Sequence, residues 1–328
     1  MTVTLRPAFE VVTLALSPRR DIERFCQHYL VQGAHHIRVY CDGVPEAVAA
    51  DSRIELIVCD GTFWAERGGE RPFSVEERQR AVFRDAYARC RAEWCLIVDI
   101  DELVFGPVGL ADYLPELDGS VDCVRFTSAE AVFLATDDAD AEFAASGFRL
   151  PVHRLFSPLL AQLLYYPNAS LYIRGLVGHS RGKQAIRRGI AGIEIGIHDA
   201  YVPGDPRFHR HDASRSADFW LAHFDAISFP RWSQKCRQRI AQRDALEMGF
   251  KREQQIALYE GCATPAQQRA LFNRLYGLKR WQVAALKLLG LFRDRPAQLP
   301  IIGNEGAPIC REAGSPSTPN PVLHGSLG

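Results

Sequence analysis

Trp94-Cys95-Leu96-Ile97-Val98-Asp99-Ile100-Asp101-Glu102 is the stretch on which the reading of this chain turns. Five apolar residues run unbroken into three carboxylates within four positions. A strand apolar on both faces belongs in the middle of a parallel sheet, covered on either side. In open α/β sheets, ligands bind just outside the carboxyl ends of such strands. Carboxylates two residues apart at that edge can share one hard divalent cation, with phosphate oxygens and water completing its shell. Asp138-Ala139-Asp140 repeats the spacing but follows no buried strand, so the metal expectation rests on Asp99 and Asp101.

Working outward, the segments before this stretch alternate strand and helix. Val11–Leu16 is a β-branched apolar run stopped by Ser17-Pro18. Asp21 stands where an N-cap would, and Ile22, Phe25, Cys26, Tyr29 and Leu30 mark one helical face that ends at Gly33. Strands are expected at 36–40 and 54–59, and a helix at 75–91 with Val82, Ala86 and Cys90 on one side. Strand–helix repeats of this length imply a doubly wound α/β sheet. Beyond it, 122–126 and 189–197 read as strands, 136–142 as an acidic loop, 198–215 as a His/Arg/Pro-rich loop, and 232–292 as mainly helical with a break near Gly261–Thr264.

Of 328 residues, 47% are hydrophobic and 24% charged, the composition of a folded globular protein. The formal net charge of zero gives no reason to expect a nucleic-acid partner, but it conceals an asymmetry. Residues 1–164 carry 26 acids against 16 bases, and residues 165–328 carry 13 against 23. An acidic half suits a cation and a basic half suits anions. The nine Cys are scattered without a CxxC pair, which points to a reducing compartment without structural zinc. No run reaches the length of a membrane span and no signal peptide is recognisable, so the expected location is cytoplasmic.

Three stretches carry a resemblance: Asp21–Gly43 (DIERFCQHYLVQGAHHIRVYCDG), Gln79–Val104 (QRAVFRDAYARCRAEWCLIVDIDELV) and His223–Lys235 (HFDAISFPRWSQK). Together they resemble the bacterial family 2-like glycosyltransferases with a GT-A fold, over roughly residues 8–240. The resemblance implies a GT-A-type, Rossmann-like mixed sheet flanked by helices, a nucleotide-diphosphate sugar donor, and Mn2+ or Mg2+. It places Asp21, Asp42, Gln79 and Asp99 about the donor and Asp99 and Asp101 on the metal. His223, at the family's His-aromatic position, is the first choice for a third ligand, and His198, at the end of an apolar run, the second. The family's Lys-Asn-Glu after the first strand reads Pro18-Arg19-Arg20-Asp21 here, and its Lys before the late Ser is Ile227.

Chemistry asks for the same groups. A nucleoside-diphosphate leaving group develops negative charge that a divalent cation stabilises, and two carboxylates with one imidazole suit Mn2+. Gly178-His179-Ser180-Arg181-Gly182-Lys183, followed by Arg187, reads as a basic loop whose Lys183 and Arg187 could meet the diphosphate. Its spacing is not that of a P-loop. An inverting transfer needs a carboxylate base, for which Glu102, Glu130 and Asp138 are candidates along with Asp137; a retaining mechanism stays open.

The expected organisation is a catalytic domain over 1–235, a helical region over 236–295 and a disordered Pro/Gly/Ser-rich tail over 296–328. The acceptor would be a glycan or a lipid-linked glycan of the cell envelope. Trp281–Phe292, apolar and flanked by basic residues, could lie peripherally on the inner face of a membrane. Two rivals fit less well: a non-catalytic nucleotide-sugar-binding protein, and a sugar nucleotidyltransferase, which would want a Gly-rich loop where Leu16–Asp21 has none.

Overall fold

The computed structural model describes residues 7–44, 48, 50–243, 248–297 and 299. In chain order the strands are β1 (Phe9–Ala15), β2 (His36–Cys41), β3 (Ile54–Val58), β4 (Trp94–Ile97), β5 (Glu102–Phe105), β6 (Cys123–Phe126), β7 (Ser128–Leu134), β8 (Gly147–Arg149), β9 (Lys183–Arg187), β10 (Glu194–Ile195), β11 (Ala200–Tyr201), β12 (Arg210–Asp212), β13 (Trp220–His223), β14 (Gly277–Leu278) and β15 (Phe292–Asp294). The helices are α1 (Arg19–Val31), α2 (Gly61–Ala65), α3 (Val75–Arg89), α4 (Leu110–Tyr113), α5 (Ser157–Tyr165), α6 (Ala213–Ser216), α7 (Phe229–Ala241), α8 (Phe250–Glu260), α9 (Pro265–Tyr276) and α10 (Arg280–Leu288).

Seven strands form the first sheet in the order β12-β6-β9-β4-β1-β2-β3. The β4-β1-β2-β3 half is parallel throughout. After β1 the chain turns outward to β2 and β3, then returns to the opposite side of β1 as β4. The strand order therefore reverses between β1 and β4, which is where an open α/β sheet leaves a crevice. A second sheet, β15-β8-β7-β13-β5 with β14 beside β7, begins where β4 ends. Asp99–Asp101 is the short link between the two sheets.

The mixed α/β architecture matches the expectation, and the interior explains it. β1 and β4 are buried along their whole length. One face of the first sheet joins a large core with α1, the second sheet and α7 to α10. The other face packs Val12, Tyr40, Cys95 and Ile97 against Phe63 and Trp64 of α2 and Val82, Phe83 and Ala86 of α3. Ser74 caps α3, its hydroxyl accepting from the Glu77 N–H at 3.1 Å. Pro18, not Asp21, is the N-cap of α1; Asp21 sits in the first turn, where its charge favours the helix dipole.

Two further sequence expectations change. Lys183–Arg187, read as a basic loop, is the strand β9, antiparallel to both β4 and β6. Gly182 makes the entry: its φ is +73°, and a Cβ there would strike the Phe126 carbonyl oxygen. The strand expected over 189–197 shrinks to the two-residue β10. The domain boundary at 235/236 falls inside α7, and Ile256, Tyr259, Phe272 and Leu286 share one core with the sheets. Most of the expected tail, 301–328, lies outside the described residues. Among the described residues no helix is long and apolar enough to cross a membrane, and the cysteines are unpaired.

Candidate active site

Asp99 and Glu102 leave β4 and enter β5 on one tight turn, with the Asp99 N–H donating to Glu102 Oε2 at 2.9 Å. Lys183, at the start of β9, is fully buried and points its ammonium between them, 2.9 Å from Asp99 Oδ2 and 3.8 Å from Glu102 Oε2. Its Nζ also donates to the Ile197 carbonyl at 3.3 Å. Burial lowers the proton affinity of this lysine, but Asp99 and Glu102 beside it raise it above the ordinary lysine value. Burial opposes the Asp99 charge, but Lys183 holds that carboxyl down at about 2. Glu102 has no water contact at all, and burial pushes it up to about 7 against the pull of Lys183.

Three imidazoles close over these carboxylates. His179 meets His198 in a tilted contact with ring centres 3.9 Å apart and stacks on His223 at 5.4 Å. Burial, reinforced by the neighbouring cations, lowers His179 to about 2 and His198 to about 4, so both rings stay neutral near pH 7. His198 Nδ1 donates to the Gly182 carbonyl at 3.2 Å, which leaves its Nε2 as an acceptor. Ligand atoms of Asp99, Glu102 and His179 all lie within 4.8 Å of one another. His179 Nδ1 and Glu102 Oε1 are buried without a hydrogen-bond partner. Two carboxylates, a neutral imidazole and two orphaned ligand atoms fit a divalent cation.

The histidine in this set is therefore His179, which sequence reasoning passed over as part of a basic loop. His198 and His223, the expected ligands, are in ring contact with it. The signal that could have found His179 is the pair of glycines around it. Gly178 lets the backbone approach closely, since a Cβ there would meet Glu130 Oε1 at 3.2 Å and His223 Cε1 at 3.3 Å. Gln79 of α3 does reach the site, donating to Asp99 Oδ1 at 3.0 Å.

Asp101 takes the other side of the turn, 3.6 Å from the Lys235 ammonium. It lines a cleft of about 530 Å³ at the crevice between β1 and β4, together with Ser17, Asp21, Arg24, Arg231 and Lys235. Asp21 binds Arg231 at 2.7 Å. Arg24 is fully buried, lies 3.4 Å over the Phe143 ring, and has no hydrogen-bond partner on any guanidinium nitrogen. Asp225, a further carboxylate of this wall, is held well below the usual carboxylate range despite its burial by Arg252 and Lys235, and accepts from Tyr276 at 2.5 Å.

The remaining sequence candidates lie elsewhere or are already engaged. Arg187 is at the far end of β9, about 13 Å of strand from Lys183, where it pairs with Glu93 and stacks on Trp94. Asp42 ends β2 as expected but is held by Arg71 at 2.9 Å and Arg78 at 3.0 Å. Glu130 is fully buried; Oε2 accepts from Arg149 at 2.5 Å and from the Val177 N–H at 2.9 Å, and Oε1 from the Gly178 N–H at 2.6 Å. Those bonds engage both of its oxygens inside the core. Asp138 lies in a different cleft, with Tyr166 and Trp281.

No protein-family model matches the chain, and no curated protein matches it in sequence. Solved structures similar to it include HddC from Yersinia pseudotuberculosis, at 12% identity over 70% of this chain and 98% of that one, with a TM-score of 0.32. The mannosyltransferase PcManGT from Pyrobaculum calidifontis, in complex with GDP-Man and Mn2+, is 14% identical over 87% of this chain and 76% of its own, with a TM-score of 0.31. TarS of S. aureus is 10% identical over 86% of this chain and 46% of its own, with a TM-score of 0.29. All three are remote likenesses, in sequence and in superposition.

Proposed function

We propose that the chain is a metal-assisted glycosyltransferase that moves a sugar from a nucleotide-diphosphate donor to a glycan or lipid-linked acceptor. One observation carries this reading: the carboxylate–imidazole set at the end of β4 adjoins a cleft walled by Arg24, Arg231 and Lys235 at the strand-order reversal. In the transfer, the bond from the sugar's anomeric carbon to the phosphate oxygen breaks, the acceptor hydroxyl oxygen bonds to that carbon, and the hydroxyl proton is released to solvent. The nucleoside diphosphate leaves with added negative charge. Arg24, with donors unmatched by the protein, and the two bases near it are placed to neutralise that charge. Asp99, Glu102 and His179 would hold Mn2+ or Mg2+, which supplies Lewis-acid stabilisation of the same phosphates when bound. Gln79 orients Asp99, and the buried Glu130–Arg149 pair fixes the Gly178 backbone that presents His179.

Calorimetric titration of nucleoside diphosphates and their sugars, with and without Mn2+, tests this. Donor binding that strengthens with Mn2+ and weakens with a chelator, together with release of nucleoside diphosphate on adding acceptor, is the expected result. Absence of nucleotide binding under both conditions overturns it. The Lys183 ammonium at Asp99 favours a second version, in which this fixed cation replaces the metal. Donor binding and turnover indifferent to the chelator would mark that version.

A further inference from the structure

From Leu155 to Ile173 nineteen consecutive residues carry no charge, and α5 lies within them. Ala161, Leu164 and Tyr165 turn inward, as an amphipathic helix requires. The outward face is apolar too. Leu155, Leu159 and Leu163, spaced i, i+4 and i+8, are 80%, 73% and 69% exposed, with Phe156 and Tyr166 exposed at the ends. A helix apolar all round is normally enclosed, and an exposed apolar stripe of this kind marks a contact surface.

Arginines border the stripe. Arg154 directly precedes it. Arg174 donates to the Val152 carbonyl at 2.8 Å, and Arg125 donates to the Arg181 carbonyl at 2.9 Å. Among the described residues Arg125, Arg154, Arg174 and Arg181 have no acidic partner, while Arg215 has only Asp212 at 3.4 Å. Burial and then the like charges of Arg125, Arg154 and Arg215 lower the Arg174 pKa. The loop that bears Arg181 also bears His179 of the candidate site.

We propose that α5 and these arginines form a docking surface for an anionic lipid bilayer, with Leu155, Phe156, Leu159 and Leu163 entering the headgroup–acyl boundary and Arg154, Arg174 and Arg181 meeting lipid phosphates. Charge decides among occupants. An apolar peptide would satisfy the stripe but not the arginines. A two-fold dimer on this patch would set arginine against arginine. A negatively charged bilayer satisfies both at once. The sequence suggested residues 281–292 for such a contact; there Leu286 of α10 is fully buried and Val283 and Ala285 pack on the core, while Trp281, Leu288 and Leu289 are exposed without a cluster of unpaired arginines beside them among the described residues. The surface stands independently of the transfer reaction, and it places the candidate site close to the plane that would present a lipid-linked acceptor.

Co-sedimentation of the full chain with vesicles, either phosphatidylcholine alone or mixed with phosphatidylglycerol, tests it without substrate. Binding to the mixed vesicles only, weakening as salt rises, is expected. The pair Leu159→Glu and Leu163→Glu should lower partitioning on the order of a hundredfold. Arg154→Glu with Arg181→Glu should abolish the preference for phosphatidylglycerol. Circular dichroism should show both variants folded, since the altered side chains are exposed. Equal binding to both vesicle types, or none, overturns the proposal. So does Leu159-dependent dimerisation without vesicle binding.

Discussion

The Lys183 ammonium sits 2.9 Å from the Asp99 carboxylate, so a fully buried cation from one strand neutralises an acid at the end of its neighbour. This contact couples the antiparallel β9 to the parallel core of the first sheet. It also occupies the charge balance that a divalent ion would alter.

Replacing Lys183 with Met should therefore leave Asp99 and Glu102 uncompensated and lower stability by about 3–5 kcal/mol. Mn2+ should then raise the melting temperature of Lys183→Met more than that of the parent chain, because the ion takes over the missing charge. Thermal melts with and without Mn2+ measure both, and equal metal-induced shifts would remove Asp99 and Glu102 from the ligand set.

Arg24 offers a trade between stability and binding. Its guanidinium is buried without a hydrogen bond, and burial lowers its pKa to about 10. Arg24→Met should leave unfolding in urea unchanged or slightly more costly, because an unmatched charge gives way to an apolar chain of similar length. Nucleoside diphosphate affinity should fall about 10- to 100-fold with the loss of charge-assisted hydrogen bonds. Affinity equal to that of the parent chain would show that the cleft's anion lies elsewhere.

Glu130 should prove structural. Glu130→Gln leaves Arg149 buried without its counter-charge, at about 3–5 kcal/mol and a melting temperature about 10 °C lower. Below that temperature the pH–rate profile should keep its shape. Loss of one limb of the profile at unchanged stability would restore Glu130 as a base.

His28 sets an acid limit on the fold. The ring is buried in α1, bonds the Val104 carbonyl at 2.9 Å, and burial lowers it to about 4. The unfolded chain takes up this proton near pH 6.5 and the folded chain does not. Its contribution is therefore complete above about pH 6.5 and is lost as the pH falls toward 4, amounting to about 3 kcal/mol over that window. Urea denaturation at several pH values should show a flatter acid limb for His28→Gln, whose amide can still donate to Val104. Identical limbs would assign the acid loss to other groups.

Much of this molecule could be read from local pattern. The unbroken apolar run Trp94–Val98 demanded a strand buried on both faces, and Asp99–Glu102 had to emerge at its carboxyl end. The 3.6-residue spacing in α1 and α3 and the run in β1 marked the parallel half for the same reason: burial on a regular element writes a period into the chain. Gln79 came to Asp99 because a helix leading into a strand returns to that strand's edge. What pattern could not show is which distant side chains meet. β9 looked like a loop because the charges of Lys183 and Arg187 hide three buried residues between them, and only pairing with β4 and β6 makes those cations compatible with a sheet. His179, His198 and His223 are far apart along the chain and have no shared spacing; they converge because β9 begins, and β13 ends, beside the same turn. The arginines around α5 come from four separate segments. A strand or helix is determined by its neighbours in sequence, whereas a cluster of charges is determined by which elements the core brings together, and that selection is made only when the chain closes on itself.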